Sequence, residues 1–193
     1  MSETGSADSS KGSAPGGPLR GVRVLDLSRM IAGGLAGMLL ADFGADVVKV
    51  EHPDTGDPLR QWTTRGEPFW WRVYGRNKRF VTLDLKSTRG LELFEQLVPR
   101  FDVVIESFVP GALEAMGLGW DTLQRWNPCL VLVRISGWGQ TGPGRGLPGF
   151  GTLVEAARGF AAMNGEPDRA PLVPAAPLAD MAAGLYAANA ITM

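Results

Sequence analysis

The chain is 193 residues long, 45% hydrophobic and 20% charged, with a formal net charge of −1. Those values fit a globular domain with a sizeable core, and near-neutrality argues against a nucleic-acid backbone as the main partner. The longest uncharged apolar run, residues 30–41, is too short to cross a membrane, and one histidine with one cysteine makes neither a metal site nor a disulfide framework.

Residues 1–18, MSETGSADSSKGSAPGGP, lack apolar periodicity and are expected to form a disordered leader, with order starting near Leu19. The segment has no apolar secretory core and carries acids that a transit peptide avoids, so a cytoplasmic setting is the simplest inference. Val22, Val24, Leu25 and Leu27 form a strand-length run. Met30 to Phe43 suit a tightly packed helix that Gly44 ends, and Val47, Val48 and Val50 read as a second buried strand. Strand, helix and strand predict a βαβ unit with parallel strands and a right-handed crossover. A dinucleotide fingerprint would need Gly-x-Gly-x-x-Gly after the first strand and an acid such as Glu51 about twenty residues on. Gly33, Gly34 and Gly37 have the wrong spacing and lie inside the helix, where small residues permit close packing instead.

After a loop rich in Pro and Gly, Asn77, Lys78 and Arg79 precede a strand over residues 80–85. Ser87 caps a helix from Thr88 to Arg100, with Leu91, Phe94, Leu97 and Val98 at helical spacing. A strand over 101–105 and short helices over Ala112–Met116 and Trp120–Trp126 follow. CLVLVRIS (129–136) reads as the clearest buried strand, and Cys129 within it as a buried structural thiol. The run GWGQTGPGRGLPGFG (137–151) is expected to be a long exposed or ligand-facing loop. A helix from Thr152 to Met163 and a last helix beginning near Asp180 complete the chain. The alternation predicts an α/β, doubly wound, Rossmann-like domain whose largely parallel sheet is buried on both faces. Ligands of such sheets meet the carboxyl ends of the strands, which lead here into Ser28–Arg29, Glu51–His52, Ser107–Phe108 and Gly137–Gly139.

Five separate segments carry a resemblance: VLDLSRMIAGGLAGMLLADFGADVVKVEHPDTGD, GRNKRFVTLDLKSTRGLELFEQLV, DVVIESFVPGALEAMGLGWDTL, NPCLVLVRISGWGQTGP and PLADMAAGLYA. In this order and spacing they resemble the family III CoA-transferases of the CaiB/BaiF type, over almost everything from Leu19 to Met193. The resemblance implies transfer of coenzyme A from an acyl-CoA donor to a carboxylic acid acceptor, with no tightly bound cofactor. It places Asp180 at the nucleophile position, attacking the thioester to form an aspartyl anhydride and then an aspartyl-CoA thioester. The local pattern alone reads Asp180 as a helix N-cap; either way, exposed N–H groups and the helix dipole would keep the carboxylate ionised. Carried over position by position, Leu83, Asp84, Leu85 and Lys86 would line the nucleotide part of CoA. Ser107 and Phe108 would lie near pantetheine and diphosphate, His52 would follow the Lys-Val-Glu segment, and Trp62 would flank the active-site region. Asn77, Lys78 and Arg79 either face phosphates or form a solvated turn, and the aromatics of RGEPFWWR are expected to pack, with a second subunit as one surface they could meet.

The chain departs from the family pattern at Ser107 (often Asn), at His52 (often another basic residue), at Ala115 (Arg in some members) and at Gly149-Phe150-Gly151, which lacks a carboxylate. Phe150 replaces the histidine that the related 2-methylacyl-CoA racemases use as an acid/base, which favours transfer over racemisation. The chain breaks off within an apolar helical run at Ile191-Thr192-Met193. Family members are considerably longer, so residues 19–193 are expected to be the N-terminal part of the large domain of an interlocked homodimer. A noncatalytic CoA-binding fragment is the alternative reading.

Overall fold

Val24, Val47 and Val103 belong to one buried cluster and Leu25, Val48 and Val104 to another, the period of two that a strand imposes when both faces of its sheet are covered. The structure, a computed structural model, describes residues 16–193; most of the expected leader, residues 1–15, lies outside the described residues. Five strands form one all-parallel sheet: β1 (Arg23–Asp26), β2 (Asp46–Glu51), β3 (Arg79–Thr82), β4 (Val103–Glu106) and β5 (Val131–Arg134). Their order is β3-β2-β1-β4-β5. The chain runs outward from β1 to β3 and then returns to lay β4 on the other edge of β1, so the topological switch falls between β1 and β4.

Helix α1 (Ala32–Asp42) covers the face carrying Val24, Val47 and Val103. The last helix, α8 (Leu178–Thr192), adds Ala187 and Ile191 to the same cluster. The opposite face is covered by α3 (Thr88–Leu97), α4 (Ala112–Ala115) and α5 (Trp120–Trp126), through Phe94, Leu113 and Leu123, each with no exposure. A third cluster joins α1 to Leu59, in the short turn Pro58–Gln61, and to Tyr74 of α2 (Phe69–Tyr74). The close approach of α1 to its surroundings requires two of its glycines, Gly33 and Gly37. A Cβ at Gly33 would overlap the Ser28 side chain, and one at Gly37 would lie 2.9 Å from both Asp26 Oδ2 and Lys78 Nζ. The close-packing reading of these glycines, rather than a phosphate loop, is therefore the one the fold uses.

The strand and helix expectations hold with shifted ends. Ser87 caps α3 by accepting the Gly90 N–H at 3.0 Å. β3 ends at Thr82, three residues before the expected limit at Leu85. The helix expected over 152–163 is two, α6 (Gly151–Ala157) and α7 (Phe160–Met163), broken at Gly159, whose φ of 81° leaves the helical region. Two expectations are overturned. CLVLVRIS supplies the edge strand β5, partly exposed, because it pairs with β4 on one side only. Cys129 lies just ahead of that strand and is exposed.

Candidate active site

Helix α8 begins without a side-chain cap. Pro177 occupies the N-cap position, and Asp180 is the third helical residue, not the cap. The orphan N–H of Ala179 instead donates to Glu155 Oε1 at 2.9 Å, so a buried carboxylate of α6 supplies the cap from across the fold. Asp180 is half-buried and faces Gly151, where a Cβ would overlap its Oδ2. Burial and then the neighbouring Glu155 carboxylate push the Asp180 pKa above its ordinary value, outweighing a backbone hydrogen bond that acts downward. The backbone at the helix start does favour the ionised form, as expected, but desolvation and a like charge outweigh it in setting the direction of the shift. Tyr74 is the other titratable group at this spot, its phenol pushed up by burial and then by the Asp180 charge.

The remaining sequence candidates lie at the carboxyl ends of the strands. At the β2 and β3 ends, His52 Nε2 stands 3.9 Å from Asp84 Oδ1, both side chains more than a third exposed. The Leu83 N–H donates to Glu51 O at 2.9 Å, and Asp84 Oδ1 accepts the Lys86 N–H at 2.9 Å. Leu83, Asp84 and Leu85 are half-buried and Lys86 is exposed. At the switch point, Ser107 Oγ accepts the Arg29 N–H at 2.9 Å and ties the β4 end to the β1 end. The Phe108 N–H donates to the buried Glu106 at 2.6 Å, and its ring packs against the core behind. Trp62, 44% exposed, follows the turn Pro58–Gln61. The contacts thus join His52 to Asp84 and Ser107 to Arg29, as two groups at the same edge of the sheet.

Beneath α1 lies a buried network that sequence reasoning missed. Lys78 Nζ donates to Asp26 Oδ2 and to Gly34 O, both at 2.8 Å. Lys49 Nζ bonds Ser28 O and stands 3.1 Å from Asp57 Oδ2. Asp57 also accepts the N–H of Met30 at 3.1 Å and of Leu59 at 2.9 Å, which holds Met30 at a φ of 65°. The network therefore fixes the loop from β1 into α1. Lys78 neither faces phosphates nor lies in a solvated turn, while Asn77 and Arg79 pair with Asp42 and Asp46. Glu51, the acid a dinucleotide site would need, is taken by Arg60 at 2.8 and 2.9 Å. Arg60 in turn stacks over Trp71, which packs on Phe80, so that part of the aromatic segment is absorbed within the chain. The readable signal was a charge set inside each apolar strand, Asp26 in VLDLS and Lys49 in VVKVE, and one Glu in the helical run LVEAA.

Five parallel strands with helices on both faces define an α/β protein of the doubly wound class. The family model for CoA-transferase family III matches residues 19–193, and the chain belongs to that family. It is 48% identical over 177 residues to the succinyl-CoA–D-citramalate CoA-transferase of Chloroflexus aurantiacus, covering 90% of this chain and 44% of that one. It is 38% identical to the human succinyl-CoA:glutarate CoA-transferase, covering 90% and 40%. A crystal structure of a CaiB/BaiF family protein from Brucella suis superposes with a TM-score of 0.86 at 38% identity, covering 91% of this chain and 48% of that one. The chain spans less than half the length of these relatives.

Proposed function

We propose that the protein transfers coenzyme A from an acyl-CoA donor to a carboxylic acid acceptor, with Asp180 as the nucleophile. The observation that carries this reading is the Asp180 carboxylate, crowded against side-chain-free Gly151 and made more basic by its surroundings. An Asp180 oxygen attacks the thioester carbon, the C–S bond breaks, and its electron pair leaves on sulfur as the CoA thiolate. The thiolate attacks the aspartyl carbonyl of the resulting anhydride, releasing the donor acid and leaving an aspartyl-CoA thioester. The acceptor carboxylate then forms a second anhydride and frees the thiolate again. Attack of that thiolate on the acceptor acyl carbon gives the new acyl-CoA and restores Asp180. No proton is gained or lost over the cycle.

His52, Trp62, Leu83, Asp84, Leu85, Lys86, Ser107 and Phe108 are assigned to CoA, in keeping with their place at the carboxyl edge of the sheet. The named relatives pair succinyl-CoA or succinate with D-citramalate, L-malate or glutarate, which supports succinyl-CoA as donor and a short dicarboxylate as acceptor. Residues 19–193 are read as the N-terminal part of the family's large domain, the full-length form being an interlocked homodimer in the cytoplasm. No helix among the described residues is long and apolar enough to cross a membrane. Mass spectrometry after incubation with succinyl-CoA and hydroxylamine quenching tests the mechanism. A modification on the peptide containing Asp180, absent in Asp180→Ala, is expected; CoA binding without any modification sinks the catalytic reading in favour of a binding role.

A further inference from the structure

Glu155 is the only carboxylate besides Asp180 at the start of α8 among the described residues, and the transfer cycle as written does not use it. It belongs to α6, is 7% exposed, and is fixed by the Ala179 N–H at 2.9 Å, one residue before the nucleophile. Gly151 and Glu155 lie one turn apart on α6, and both meet this turn of α8: Gly151 leaves room for Asp180 Oδ2, and Glu155 holds the backbone beside it. Glu155 thus presents its carboxylate one helical turn after Gly151, aimed at the backbone of α8. We propose that Glu155 is a positioning residue, which fixes the first turn of α8 and sets a negative charge beside the Asp180 nucleophile. The proposal rests on the reading of Asp180 given above. A second carboxylate nearby makes the nucleophile more basic, and a more basic oxygen bonds the thioester carbon more readily. The titratable groups facing Asp180 are Glu155 from α6 and Tyr74 from α2.

Glu155→Gln separates charge from capping, since the amide oxygen still accepts the Ala179 N–H while the charge is gone. With succinyl-CoA and glutarate, its kcat is expected to fall about 10-fold, because the nucleophile becomes less basic while the cap is kept, with KM for succinyl-CoA within about twofold. The acidic limb of its kcat profile, set by ionisation of Asp180, is expected to move to lower pH, because the like charge that raised the Asp180 pKa has been removed. Glu155→Ala, which loses the cap as well, is expected to be slower still. A Glu155→Gln enzyme with unchanged kcat overturns the proposal. So does a lowered kcat with an unmoved limb, since a purely structural cap would give that result. If Asp180→Ala still acquires the covalent modification, the nucleophile assignment itself fails, which is a separate outcome.

Discussion

Asp26 ends β1 with no exposure and faces two ammonium groups, Lys78 Nζ at 2.8 Å and Lys49 Nζ at 3.9 Å. Burial alone would raise its pKa, but the two lysines and the hydrogen bonds from Lys78 and Ser28 prevail and lower it. Lys78 is held below its ordinary value, because burial outweighs the attraction of Asp26. Such a pair is weak as a source of stability, yet costly to break from one side. Lys78→Met leaves Asp26 with the more distant Lys49 and removes the side-chain donor from Gly34 O, so a loss of about 3 kcal/mol is expected from denaturant unfolding. A loss below about 1 kcal/mol would place the pair among solvated surface contacts instead. This role was not legible beforehand: a lysine ahead of a strand reads as surface, and its partner is 52 residues away. Asp180 was singled out for a different reason, as its position within PLADMAAGLYA carries the family resemblance. Its environment was not, since the like charge comes from Glu155 on another helix.

Helices α1 and α8 meet through small residues. A Cβ at Gly184 would stand 2.6 Å from the Ala32 carbonyl oxygen and 2.9 Å from Leu35 Cβ. In an isolated helix, Gly→Ala gains about 1 kcal/mol from propensity. Here the obstacle is backbone that cannot swing aside, and overpacking costs about 1–3 kcal/mol, so the clash should win. Gly184→Ala is therefore expected to lower the thermal midpoint; a raised midpoint would show that α8 does not rest this closely on α1. Element types could be read because apolar spacing is local, and the caps at Ser87 and Gly44 were readable for the same reason. Whether a strand is central or at an edge is not a local property. CLVLVRIS is more apolar than RVLD, yet β1 occupies the centre and β5 the edge, because strand order is decided by crossovers.

At the scale of the molecule, parallel pairing sends the segments after every strand to one edge of the sheet, which brings His52 to Asp84 and Ser107 to Arg29. Free CoA is accordingly expected to slow backbone hydrogen exchange at residues 83–87 and 107–108, and to leave the opposite edge, residues 45–46 and 101–102, unchanged. Slowing confined to that opposite edge would refute the CoA assignment. The sequence by itself determined the βαβ start, the alternation of strands and helices, and the family, because periodicity, caps and motif order are written along the chain. The tertiary structure decided which strand lies at the edge, that Cys129 is exposed, that Lys78 and Lys49 are sealed against Asp26 and Asp57, and that Glu155 caps α8 beside Asp180. Those outcomes depend on burial and on charges brought together from distant positions, and neither desolvation nor a through-space partner has a signature in local residue order.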